Sequence, residues 1–142
     1  LALLQNTYAA ALAETANTYA RMNVLERVVA TKAEQQELTA ETMLNLMGIT
    51  SADKVFTTLA EVFGCADWQT VPTKNGLFAT AKTCKLCALS KRMGGANACH
   101  GWCLNPMAAM VAKLTGRKVG DGMFTVRRTL MDSDACEVEV VL

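Results

Sequence analysis

The chain has one histidine, two prolines, few aromatic residues (6%) and no excess of either charge, with 14 basic against 13 acidic side chains. A net charge of +1 gives no reason to expect nucleic acid, a membrane surface or a polyanionic partner. No apolar run approaches the roughly 18 residues that a membrane span requires. Leu1 to Leu12 has no basic residue and is interrupted by Gln5, Asn6 and Thr7, so it does not read as a signal peptide. The chain begins at Leu1 without Met, which suggests that something ahead of it has been removed. Repeats, linkers and low-complexity segments are absent as well. What remains is 142 residues, 51% of them apolar, which fits a single domain with one sizeable core.

Cysteine is the exception to this plainness. Of the six cysteines, Cys84, Cys87, Cys99 and Cys103 fall within the run TCKLCALSKRMGGANACHGWC. Secreted disulfide scaffolds are usually shorter and poorer in aliphatic residues. Tight cysteine pairs in an aliphatic-rich chain point instead to a reducing compartment, the cytoplasm, and to a metal or redox site.

Residues 1 to about 37 are rich in Ala, Leu, Glu and Gln, without Gly or Pro. Leu1, Leu4, Leu12, Met22, Tyr8 and Tyr19 recur at helical spacings, which predicts one long amphipathic helix or two in tandem. Thr39-Ala40-Glu41 reads as a further helix start and Gly48 as its stop. Ser51 then opens a helix through Phe63, closed by Gly64. The pattern changes near Asp67. Trp68 to Val71 and Leu77 to Thr83 read as a hairpin, with positive φ expected at Asn75-Gly76. Helices follow from about Lys85 to Met93 and from about Pro106 to Leu114. A second hairpin closes the chain, Phe124 to Leu130 and Cys136 to Leu142, with one buried face. The expected fold is α+β: a single domain over 1–142, with a helical half (1–64) and a sheet with cysteine-bearing helices (65–142).

The pairs C-x2-C and C-x3-C, eleven residues apart, suit four thiolates closing on one metal. Cys84 leaves a strand and Cys87 lies in the first helical turn after it. Cys99 and Cys103, four apart, would share one face of a helical turn ahead of Pro106. Helix N-termini favour thiolate, and Lys85, Lys91 and Arg92 add positive charge. Zinc is the first expectation and an iron–sulfur cluster the alternative, since both use these donors. The x3 pair departs from zinc-ribbon spacing, and redox-active pairs or buried structural thiols are the other readings.

His100 lies between two of these cysteines, where it could serve as proton carrier or donor beside the sulfurs. Trp102 could floor a pocket. Met93, Met107, Met110, Met123 and Met131 fit either plain core or an adaptable apolar cavity. Arg127 and Arg128 are neighbours on a strand and should face opposite sides, with Arg128 expected inward as part of a ligand site together with Trp102 and Met107. Cys65, after a helix stop, reads as structural.

The stretch from about Leu77 to Leu142 resembles a known family. A strand ends in a cysteine, a short helix follows, then a cysteine-bearing loop (Cys99-His100-Gly101-Trp102-Cys103), a helix and a closing hairpin around Asp132-Ser133-Asp134-Ala135-Cys136. That order resembles the L-2-amino-thiazoline-4-carboxylic acid hydrolase-like family and is similar to 4-vinyl-reductase-type small-molecule-binding domains. Asp132 stands where the pattern has a turn glycine and Val138 where it has an aromatic. The resemblance implies helices against an antiparallel sheet with a pocket between them. It also implies that Cys136 approaches the cluster, so that three loop cysteines plus Cys136 could replace the two local pairs.

Three functions follow as expectations. The first is a cysteine-ligated metal or cluster domain whose pocket receives a small molecule, as a sensor or accessory module. The second is a hydrolase of a cyclic C=N bond with Cys99 or Cys103 as nucleophile, or a metal-bound water, and His100 as proton carrier. The third is a thiol redox protein. The broad Ala/Leu face of the N-terminal helix could also pair with a second copy.

Overall fold

A stretch rich in Ala, Leu, Glu and Gln, with no Gly or Pro before Gly48, makes the first third of the chain two long helices, α1 (Ala2–Arg21) and α2 (Leu25–Met47), in a computed structural model that describes all 142 residues. The break between them falls at Asn23, whose φ of 60° is the left-handed conformation that asparagine tolerates. Thr39 does not start a helix. It lies inside α2, and its hydroxyl donates back to the Gln35 carbonyl (3.1 Å), because nothing before it stops the helix. Helix α3 (Ala52–Phe63) follows, with the expected ends.

The buried face of α1 is narrower than its Leu/Tyr stripe suggests. Ala9, Ala13 and Ala16 are buried with Asn17, while Leu1 and Leu4 are 85% and 70% exposed. Small side chains let α1 lie close against α4 (Lys85–Met93), where Ala13, Ala16, Leu86 and Ala98 form their own cluster. Asn17 fastens this contact. Its amide donates to Ala13 O (2.8 Å) and Ser90 Oγ (3.0 Å), and its Oδ1 accepts from Ala96 N–H (3.0 Å). Asn17→Ala leaves the partly buried Ala96 amide and the buried Ser90 hydroxyl without this partner, and a loss of about 1–2 kcal/mol is expected. Urea unfolding of wild type and variant measures it, and equal midpoints would contradict it.

The strands β1 (Gln69–Thr73), β2 (Gly76–Ala81), β3 (Phe124–Arg128) and β4 (Cys136–Val141) form one antiparallel sheet in the order β1-β2-β4-β3. Alternation puts Leu77, Ala79 and Ala81 of β2 and Cys136, Val138 and Val140 of β4 on the buried face. Helix α5 (Asn105–Thr115) packs against α2 and α3 and has six consecutive buried residues, Met107 to Ala112, so it forms the middle of the core.

Two local expectations for the sheet are corrected. The first hairpin turns through Lys74-Asn75, and neither Asn75 nor Gly76 takes positive φ. Gly76 is required by close approach: a Cβ there would lie 2.0 Å from the Val140 carbonyl oxygen on β4. Arg128 faces outward. A bulge between Val126 and Arg128 inserts a residue, so that Val126 pairs with Val138 but Arg128 pairs with Glu137. Both arginines therefore reach the outer face. Arg127 pairs with Glu139, and Arg128 with Glu137 and Asp134. Arg128 is satisfied by its own hairpin and is not part of an internal ligand site.

Candidate metal centre and adjoining cavity

Three elements bring four cysteines into one region: α4 carries two, the loop after it one and β4 one. Cys84 is the N-cap of α4, fixed to the preceding chain by a bridge with Ala66, and its sulfur accepts from Cys87 N–H (3.4 Å). Cys87 follows in the first turn of α4. Cys99 ends the loop after that helix, its N–H bonded to Asn97 Oδ1 (2.9 Å). Cys136 begins β4, opposite Ala81, and accepts from the Leu130 backbone N–H (3.2 Å). Cys87, Cys99 and Cys136 are at most 4% exposed, and Cys84 is half-buried.

The sulfurs touch one another. Cys87 Sγ and Cys99 Sγ are 2.9 Å apart. Cys136 and Cys84 lie near enough to Cys87, and Cys136 to Cys99, for their side chains to shift one another's acidity. These contacts divide the four into two kinds. The thiols of Cys87 and then Cys99, with the Leu130 amide, hold Cys136 down at about 3 despite burial. Cys84 is lowered by Cys87. Proximity to Cys136 raises Cys87 and Cys99 in turn, and burial adds to it.

Cys103 stands apart. The chain from His100 to Leu104 forms a widened π-turn that runs straight into α5. In that turn Cys99 and Cys103 do not present their sulfurs to one partner. Cys99 meets Cys87, while Cys103 Sγ lies 3.9 Å from Met107 Sδ. Burial raises the Cys103 thiol well above its usual range. The turn fits against α2 because residue 101 is glycine: a Cβ there would lie 2.8 Å from Val29 Cγ2. His100 is half-buried and bonded through its backbone to Asn97; its imidazole makes no hydrogen bond to any of the cysteines.

A cavity of about 240 Å³ is bordered by Cys103 and lined by side chains from α1, α2, α3, the π-turn and α5, with Leu86 of α4. Trp102 forms part of its wall, stacked on Tyr19 (centroids 6.5 Å apart) with Lys32 Nζ 5.5 Å from the ring. Its methionines are Met43, Met47 and Met110; Met107 is fully buried in the core beside it and does not line it. On the opposite side of the thiols a more open cleft of about 700 Å³ is lined by Cys84 and Cys87 together with Lys82, Lys85 and Lys91. Cys65 borders both spaces, and burial, then the nearby Cys84, pushes its thiol up to about 11.

Gln36 is the site residue that sequence reasoning missed. It sits in a polar stretch of α2 that carries no signal of its own, yet its Nε2 donates to Gly101 O (2.9 Å) and the side chain lines the cavity. The chain has no significant match among protein-family models, curated proteins or solved structures.

Proposed function

We propose that this chain is a cysteine-ligated metal-binding domain with an attached small-molecule pocket, acting as a sensor or accessory module. The supporting observation is the convergence of Cys84, Cys87, Cys99 and Cys136 from three elements, α4, the loop after it and β4, into one largely buried group. No three His, Cys, Asp or Glu side chains already surround a point as metal ligands, so binding would have to draw the four sulfurs around the ion. Zinc–sulfur bonds of about 2.3 Å place neighbouring sulfurs of a tetrahedron about 3.8 Å apart. The 2.9 Å pair would therefore open by about 0.9 Å, with the cation taking the place of the thiol protons.

The donor set fits zinc. Four thiolates saturate it, so zinc there supplies a cross-link between α4, the cysteine loop and the sheet and has no open position for substrate. Sulfurs in mutual contact suit a single ion better than the wider spread of a cubane, so an iron–sulfur cluster is the second choice. Free thiols of this kind suit a reducing compartment such as the cytoplasm; no helix is long and apolar enough to cross a membrane. The hydrolase suggested by the family resemblance needs an activated thiol, whereas Cys103 is held protonated by burial and His100 makes no bond to it.

Cys87→Ser with Cys99→Ser removes the closest pair and should abolish zinc binding in a competition titration against a chromophoric chelator. Full retention in the double variant would sink the proposal. A second reading, a thiol redox protein, draws on the same pair. Forming a disulfide of about 2.05 Å from the 2.9 Å separation asks for a movement similar to that for metal, with two protons and two electrons passing to an oxidant. Loss of two titratable thiols in air, reversed by a dithiol, would favour it.

A further inference from the structure

On the reading of the cavity as a small-molecule pocket, we propose that Gln36 sets its specificity and that its ligand is a small, mostly apolar ring compound bearing one N–H or O–H donor. The orientation of Gln36 is fixed, because Gly101 O can only accept and so takes the amide nitrogen at 2.9 Å. That leaves Oε1 as a pure acceptor. It is the one buried side-chain nitrogen or oxygen in the protein without a hydrogen-bond partner.

Elsewhere the wall is mostly apolar, its other possible donors being the Tyr8 hydroxyl, the Trp68 and Trp102 indole N–H groups and the Cys65 and Cys103 thiols. Fifteen of the 19 lining residues are hydrophobic, and the remainder are Lys32, Gln36, Thr39 and Pro106. Thr39 donates to Gln35 O, and the Lys32 ammonium sits over the Trp102 ring. Oε1 is covered by its neighbours, so the amide has to turn slightly for a ligand donor to complete it, whereas an ether or carbonyl oxygen would face its lone pairs. A cavity of about 150 Å³ takes benzene, so about 240 Å³ takes a molecule of about ten non-hydrogen atoms.

Indole and benzofuran separate these requirements, because they match in shape and differ in N–H against ring oxygen. By calorimetry on the full chain, indole should bind at least about tenfold more tightly than benzofuran. In Gln36→Leu the preference should fall to about one, with benzofuran binding unchanged or improved. Gln36→Met, which keeps the side-chain length, guards against a disturbed contact between α2 and the π-turn. Equal binding of the two compounds by wild type would overturn the role of Gln36 while leaving the pocket in place. Binding of neither would overturn both, and a preference that survives in Gln36→Leu and Gln36→Met would overturn the role of Gln36 alone.

Discussion

Cys136→Ser is expected to weaken metal binding by more than about 100-fold, while Cys103→Ser leaves it near the wild-type value. The contrast is large because the two residues have opposite places despite the sequence pattern. Cys103 belongs to the tight local group and looks like a ligand, but its sulfur turns to Met107 and the cavity. Cys136 is remote in sequence, yet it is the sulfur on which Cys87 and Cys99 converge. Losing a group that merely orients a metal ligand typically costs 10–100-fold, so losing a thiolate ligand should exceed that. Parallel chelator titrations of the two variants check it. The reverse order of affinities would mean that the local pairs, and not the folded group, hold the metal.

Phe56→Ala is expected to cost about 3–5 kcal/mol, the largest single effect on stability among the core positions. Phe56 is fully buried on α3, stacked on Phe124 of β3 (centroids 6.1 Å, planes 4° apart) and set edge-on to Trp68 (5.3 Å, 69°). It therefore joins the helical layer to both outer parts of the sheet, and truncation opens a cavity that three elements would have to move to fill. A fall in Tm of roughly 10–15 °C by calorimetry corresponds to this cost for a chain of this size. A shift under about 3 °C would show that the layer packs without it.

Helix stops were the most legible part of the fold, because they are set by one or two adjacent residues. Gly48, Gly64 and Gly94 end α2, α3 and α4 where the sequence places them. The break at Asn23 was hidden, since nothing local distinguishes an asparagine that continues a helix from one that turns left-handed. Thr39 misled for the converse reason: a capping residue caps only where the helix before it has stopped. In β3 the alternation was correct as far as Val126, and the bulge then reversed the face of Arg128. No spacing rule reveals a bulge, because the inserted residue is fixed by pairing with β4.

The site was legible as chemistry more than as geometry. The sequence brings out Cys84, Cys87 and Cys99, and the helix start at Cys84 explains the first two. Four-residue spacing puts Cys103 beside Cys99 only if the turn is α-helical, and the π-turn removes that condition. Cys136 reaches the group through strand pairing across the whole sheet, which no local pattern encodes; the family resemblance alone pointed to it. Gln36 was silent, because its importance comes from the Gly101 carbonyl opposite it and from an apolar wall assembled by several helices and a turn.

The most direct test of a four-cysteine metal centre is elemental analysis of the anaerobically purified protein, with an absorbance spectrum of the same sample. About one zinc per chain without a visible band is the expected result, and iron with a broad visible band would keep the centre but change its metal. Protein free of both metals, which takes up neither on reconstitution while all six thiols remain titratable, would contradict it.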